Sequence, residues 1–140
     1  TARGVMTPLA EGQSRDKRNV AFTVEIGGIN ICHLGDISVP LTTRIVDDLK
    51  PVDVVLVPVG GHCTMDMDQI YQTLQDLDAK ITIPMHFKTD GINVEVDPID
   101  NFVRRMGLDD VQPQPRLVVT STNLGTDMRV VVMTSQGRPR

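Results

Sequence analysis

The chain has 140 residues, 40% of them apolar, with 14 basic against 18 acidic side chains for a net charge of −4. That is one domain's worth of sequence with one core, and the acidic balance leaves no basic footprint for nucleic acid. With no Trp, one Tyr and three Phe, the core must be aliphatic, and the scattered Phe22, Tyr71, Phe87 and Phe102 offer no stacking platform for single-stranded bases.

In chain order, residues 1–19 read as a polar approach segment ending in a charged loop at 13–19. The body of the domain is expected over 20–134, and 135–140 as a disordered tail. Residues 20–26 alternate with β-branched side chains, Gly27-Gly28 supplies the positive φ of a tight turn, and 29–33 form the second strand of that hairpin. Residues 42–50 have helical spacing at Ile45, Val46 and Leu49, and Pro51 stops them. Residues 52–59 are an almost unbroken apolar run, as in a strand buried on both faces. Asp66 with Gln69 three residues later predicts a capping box, followed by a helix with a stripe at Met67, Ile70, Tyr71, Leu74 and Leu77 that belongs in the core. Another short strand is expected over 79–84. Asp97-Pro98 then predicts a helix start and Gly107 its end. A last hairpin is expected between 117–121 and 129–134. Strand, helix, strand, helix, strand flanked by hairpins is an α/β layer architecture.

No apolar run approaches the ~18 residues of a membrane span, and the first eight residues are not a signal peptide. The sequence begins at Thr1 without an initiator Met, so a processed chain or part of a longer one is expected. Cys32 and Cys63 are too few for a disulfide framework and each adjoins a histidine, pointing to a reduced, cytoplasmic setting, with a single bridge left open. Cys32, within a strand, reads as a small buried hydrophobe.

Chemistry in α/β sheets gathers beyond the carboxyl ends of strands. Three successive predicted strands run into His33-Leu34-Gly35-Asp36, Gly60-Gly61-His62-Cys63 and Pro84-Met85-His86, so every histidine of the chain falls at a strand end. Imidazole and carboxylate are the ligands of a catalytic zinc, and the glycines permit close backbone approach. From the residues alone, Asp36 reads as a turn residue or a ligand, and His86 as a partly buried histidine or a ligand. His62 reads as a loop residue or an active-site participant. His33 reads as structural or as a support for a ligand, and Cys63 is the weaker candidate. The placement taken jointly favours Asp36 and His86. A phosphate-binding glycine loop and a nucleophile elbow are both absent, and Asp66 with Asp68 is accounted for by the helix dipole.

The segments Ile31-Cys-His-Leu-Gly-Asp36, Val57-Pro-Val-Gly-Gly61, Thr64-Met-Asp66 and Ile83-Pro-Met-His-Phe-Lys88 together resemble the metallo-β-lactamase superfamily. The likeness is closest to its metal-dependent hydrolase branch related to ascorbate-phosphate lactonases. It runs from about Asn19 to Met133 and includes the closing stretch from Met106 to Thr120. The resemblance implies an αββα sandwich and hydrolysis of an ester, lactone or phosphoester by a metal-bound hydroxide. It implies Asp36 and His86 as catalytic metal ligands, and Gly60, Gly61 and His62 lining the substrate mouth. Zinc or manganese is implied, two ions in a complete site. The family's leading His-x-His-x-Asp-His is absent, as is a further ligand histidine expected near residues 7–12. The resemblance therefore covers the C-terminal half of the fold. An N-terminal half or a second subunit would complete the site around a small-molecule substrate. The alternative is a non-catalytic, homo-oligomerising interaction module that has lost the metal site.

Overall fold

The computed structural model describes residues 1–62 and 64–136; Cys63 and the end of the expected tail lie outside the described residues. The described residues form a six-stranded sheet in chain order: β1 (Ala2–Met6), β2 (Val20–Ile26), β3 (Ile29–His33), β4 (Val54–Pro58), β5 (Ile81–Met85) and β6 (Arg129–Val130). β1, β2 and β3 pair antiparallel, whereas β3, β4, β5 and β6 run parallel. Helices α1 (Thr43–Leu49) and α2 (Met67–Leu77) make the parallel crossovers, and α3 (Asp100–Arg105) lies between β5 and β6.

Cross-strand register sorts the sheet into two faces. Val5 pairs with Ala21, Thr23 with Cys32, Cys32 with Val55 and Val55 with Thr82 on one face. There Ala21, Cys32, Val55 and Val57 pack with Val46 and Leu49 of α1, Ile70, Leu74 and Leu77 of α2, and Phe102 of α3. On the other face Ile29, Val54, Ile81 and Val131 form a smaller cluster under Leu117, Val119, Leu124 and Met133. That cover is partial: Met6, Phe22 and Ile26, at the β1–β2 end of the same face, are exposed. Among the described residues no helix is long and apolar enough to cross a membrane.

The signals for α1 and α2 act as expected. Thr42 caps α1 by accepting from the Ile45 N–H, and Pro51 holds Lys50 in extended backbone, which ends the helix. Asp66 and Gln69 form the reciprocal capping box of α2. Arg105 joins α3 to α2, bonding Asp68 at 3.0 Å and lying 4.1 Å from the centroid of the Tyr71 ring.

Three expectations are corrected. The approach segment is not only loop, because residues 2–6 add β1 to the sheet through backbone pairing, with Val5 as its half-buried apolar residue. A strand so held shows no alternating pattern. The expected last hairpin does not form, since β6 pairs with β5 and 117–121 carries no strand. Pro113 and Pro115 cannot donate to a ladder, and Asn123 satisfies the Thr120 N–H and the Val118 carbonyl locally. Asp97 is not the cap of α3, which begins at Asp100 with Ile99 before it; its carboxylate is engaged elsewhere.

Cys32 is fully buried, and burial pushes its thiol up to about 12 from an ordinary 9.0. The folded chain therefore keeps a proton that the unfolded chain releases above pH 9. Its contribution to stability is complete below pH 9 and declines as pH rises toward 12. Denaturant titrations across that range are expected to show the decline, and Cys32→Ala to flatten it. An equal pH dependence in Cys32→Ala would contradict the buried-thiol assignment.

Candidate active site

Parallel pairing brings the carboxyl ends of β3, β4 and β5 side by side. The backbone continues this alignment past the strands: the Leu34 N–H donates to the Leu56 carbonyl and the Val59 N–H to the Met85 carbonyl. Asp36, His62 and His86 thus leave the sheet along one edge. The outer two strands of the three lie about 10 Å apart, two strand spacings.

Asp36 is held by a clamp that the sequence pattern concealed. The Asn19 side-chain oxygen accepts from the Asp36 N–H at 3.0 Å, and its Nδ2 donates to the Leu34 carbonyl at 2.8 Å. Nδ2 also reaches the Thr7 hydroxyl at 3.2 Å, and the buried Thr7 donates its N–H to the Asn19 carbonyl. Gly35, at φ +66°, lies so close that a Cβ there would collide with the Asn19 amide. His33 is exposed on the partly covered face, and its Nδ1 accepts from the Gly35 N–H at 3.1 Å.

The loops after β4 and β5 are laced together. Gly60 admits no side chain, because a Cβ would collide with the His86 carbonyl. The Asp97 N–H donates to the Gly60 carbonyl at 2.8 Å, and the Lys88 N–H donates to the Asp97 carbonyl at 2.9 Å. A Cβ on Gly61 would come within 3.0 Å of Asp97 Oδ2, and His62 Nε2 lies 3.2 Å from Asp97 Oδ1. Both histidines of this edge adopt the left-handed region, His62 at φ 61° and His86 at φ 54°. Such backbone in non-glycine residues concentrates at functional sites, held there by surrounding structure. Asp78, the other non-glycine residue at positive φ among those described, merely ends α2.

Asp36, Gly60, Gly61, His62 and His86 therefore share one edge. Asn19 and Asp97 were missed by sequence reasoning: Asn19 closes a charged run that looks solvated, and Asp97 sits in a convincing cap motif. Among the described residues, no three His, Cys, Asp or Glu side chains converge closely enough to hold a metal ion. The donor types suit zinc or manganese, but their number within the described residues does not make a shell. Cys63 lies outside them. Surface depressions of about 420 Å³ along Met106 and Met128, and about 260 Å³ along Thr23 and Lys50, include none of the strand-end donors.

A family model for the beta-lactamase superfamily domain matches residues 2–86. The chain belongs to this superfamily. Among solved structures, it is similar to a Thermotoga maritima protein named as a Zn-dependent hydrolase of the metallo-beta-lactamase superfamily. The identity is 32% and the TM-score 0.77, over 94% of this chain and 63% of that one. Igni18, a metallo hydrolase from Ignicoccus hospitalis, shares the fold at 21% identity and a TM-score of 0.60, over 94% of this chain and 49% of that one. Among curated proteins, the UPF0173 metal-dependent hydrolase of Archaeoglobus fulgidus is 36% identical over 63% of this chain and 38% of its own length. That of Carboxydothermus hydrogenoformans is 35% identical over 49% of this chain and 30% of its own length. The chain spans well under half the length of these curated relatives. The expected superfamily and its α/β fold are thus both found.

Asn19→Ala is expected to free the Asp36 amide, read as faster hydrogen exchange at Asp36 than in the core of β4, and to cost about 1–3 kcal/mol in urea unfolding. Gly60→Ala must displace the His86 loop and is expected to cost about 1–3 kcal/mol. Unchanged exchange at Asp36, or a neutral Gly60→Ala, would contradict the respective contact.

Proposed function

We propose that this chain carries the C-terminal half of the site of a metal-dependent hydrolase. Asp36 and His86 are its catalytic metal ligands, and Gly60, Gly61 and His62 line the substrate mouth. The observation that carries this reading is the shared edge, where a carboxylate and two histidines in left-handed backbone follow adjacent parallel strands. The names of the relatives support a metal ion and hydrolysis. The further ligands belong to an N-terminal half or a second subunit. When bound, zinc or manganese supplies Lewis acidity and a more acidic water, and two ions are proposed for the complete site. The proposed substrate is a small molecule bearing an ester, lactone or phosphoester, and the proposed setting is cytoplasmic.

This chain's own contribution is placement. The Asn19 clamp fixes where the Asp36 carboxylate starts, and the Gly60–His86 approach fixes where the imidazole starts. A second reading, a homo-oligomerising module without metal chemistry, is favoured by one observation. The sheet face bearing Met6, Phe22 and Ile26 is exposed and apolar, the kind of surface that seeks a partner.

Hydrolase assays on lactone and phosphodiester substrates with added Zn²⁺ or Mn²⁺, together with size in solution, separate the two. Weak Zn²⁺ or Mn²⁺ binding that Asp36→Ala and His86→Ala both diminish, with any metal-dependent activity lost in the same variants, is expected from the hydrolase reading. A stable oligomer whose metal binding is indifferent to both substitutions would overturn it in favour of the module.

A further inference from the structure

The loop after β4 carries a second arrangement that the metal-ligand reading does not use. His62 and Asp97 are 35 residues apart in sequence yet meet at 3.2 Å. Asp97 is fixed from both sides of its peptide, through its N–H to Gly60 and its carbonyl from Lys88. Beside it, the Thr64 hydroxyl donates to the Gly61 carbonyl at 3.1 Å, and His62 itself is in left-handed backbone at φ 61°. Both side chains keep about two-fifths of their surface open, 40% for His62 and 45% for Asp97. The pair is thus preorganised, reachable by a small molecule, and at the same edge as Asp36 and His86.

An ionised carboxylate only accepts, so the hydrogen shared with Asp97 belongs to His62 Nε2. In the neutral ring the other nitrogen, Nδ1, carries the lone pair, because which nitrogen is protonated follows from the bond the other makes. A carboxylate that fixes the tautomer and steadies the imidazolium is the arrangement of a general base with its orienting partner.

We propose that His62 and Asp97 form a proton-transfer dyad for acyl-ester hydrolysis at the strand-end rim, with His62 as the group that meets substrate and Asp97 as its positioning residue. Nδ1 takes a proton from water as the water oxygen bonds to the acyl carbon. The carbonyl then re-forms, the C–O bond to the alcohol breaks, and Nδ1 returns the proton to the departing oxygen. Ester and water become acid and alcohol, and nothing is oxidised or reduced. The dyad goes beyond the metal-dependent reading, because this step needs no ion at Asp36 or His86.

The test uses the full chain with p-nitrophenyl acetate as probe, in excess chelator, alongside ¹⁵N chemical shifts of the histidine rings. The wild type is expected to show His62 as the Nε2–H tautomer and a chelator-resistant hydrolysis rate. His62→Gln should lose most of that rate. Asp97→Asn should lower kcat more than it raises KM and mix the His62 tautomers, and Asp97→Glu should restore part of both. The dyad is overturned by an Nδ1–H tautomer in the wild type, by ring shifts unmoved in Asp97→Asn, or by equal rates in His62→Gln and the wild type. The wild-type tautomer decides the point even if a variant fails to fold. Chelator-resistant activity that survives Asp36→Ala and His86→Ala but not His62→Gln would support the dyad independently. A rate lost entirely in chelator would overturn the dyad while leaving the metal-dependent reading in place.

Discussion

The parallel pairing of β3, β4 and β5 is the constraint on which the site depends. Antiparallel neighbours would send successive strand ends to opposite edges of the sheet. Here each crossover returns the chain to the same starting edge, so three carboxyl ends emerge together. Crossovers require elements that cover the sheet between the strands. α1 and α2 do this, and the aliphatic core between them and β4 holds the three strands in register. Packing far from the donors therefore determines whether the donors share an edge at all.

From that common edge, local contacts decide where each side chain begins. The β3 exit is governed by a side-chain amide that both donates and accepts, so Asn19 substitutes for sheet partners just where the ladder ends. The β4 and β5 exits are governed by steric exclusion, since Gly60 leaves room for the His86 carbonyl that any Cβ would fill. The left-handed backbone of His62 and His86 follows from these restrictions. Its cost is borne by the network that links Gly60, Lys88 and Asp97. The edge is thus a set of exits with separate supports, joined through the strands, rather than one enclosed pocket.

Much of this was legible in the sequence where local chemistry and periodicity agree. The Gly27-Gly28 hairpin, the Asp66–Gln69 capping box and the doubly buried β4 each announce themselves through a few neighbouring residues. Asp36, His62 and His86 could be placed at strand ends because the strands themselves could be placed. What stayed hidden depends on long-range pairing. β1 has little apolar pattern because it is held mostly by backbone bonds to β2. Asn19 and Asp97 exert their effects 17 and 35 residues away, and Asp97-Pro98 satisfies a capping pattern while its carboxylate serves His62. The proline-bounded C-terminal segment spends its apolar residues, Leu117 and Val119, as cover for the second sheet face rather than as a strand.

In the proposed reading this chain holds one share of a metal site: Asp36 and His86 begin from a common edge, yet no three donors among the described residues converge. Calorimetric titration of the 140-residue chain with Zn²⁺, repeated on Asp36→Ala and His86→Ala, tests this most directly. Weak or substoichiometric binding that both substitutions diminish is predicted. Tight, stoichiometric binding of two ions by this chain alone, or binding indifferent to both substitutions, would contradict it.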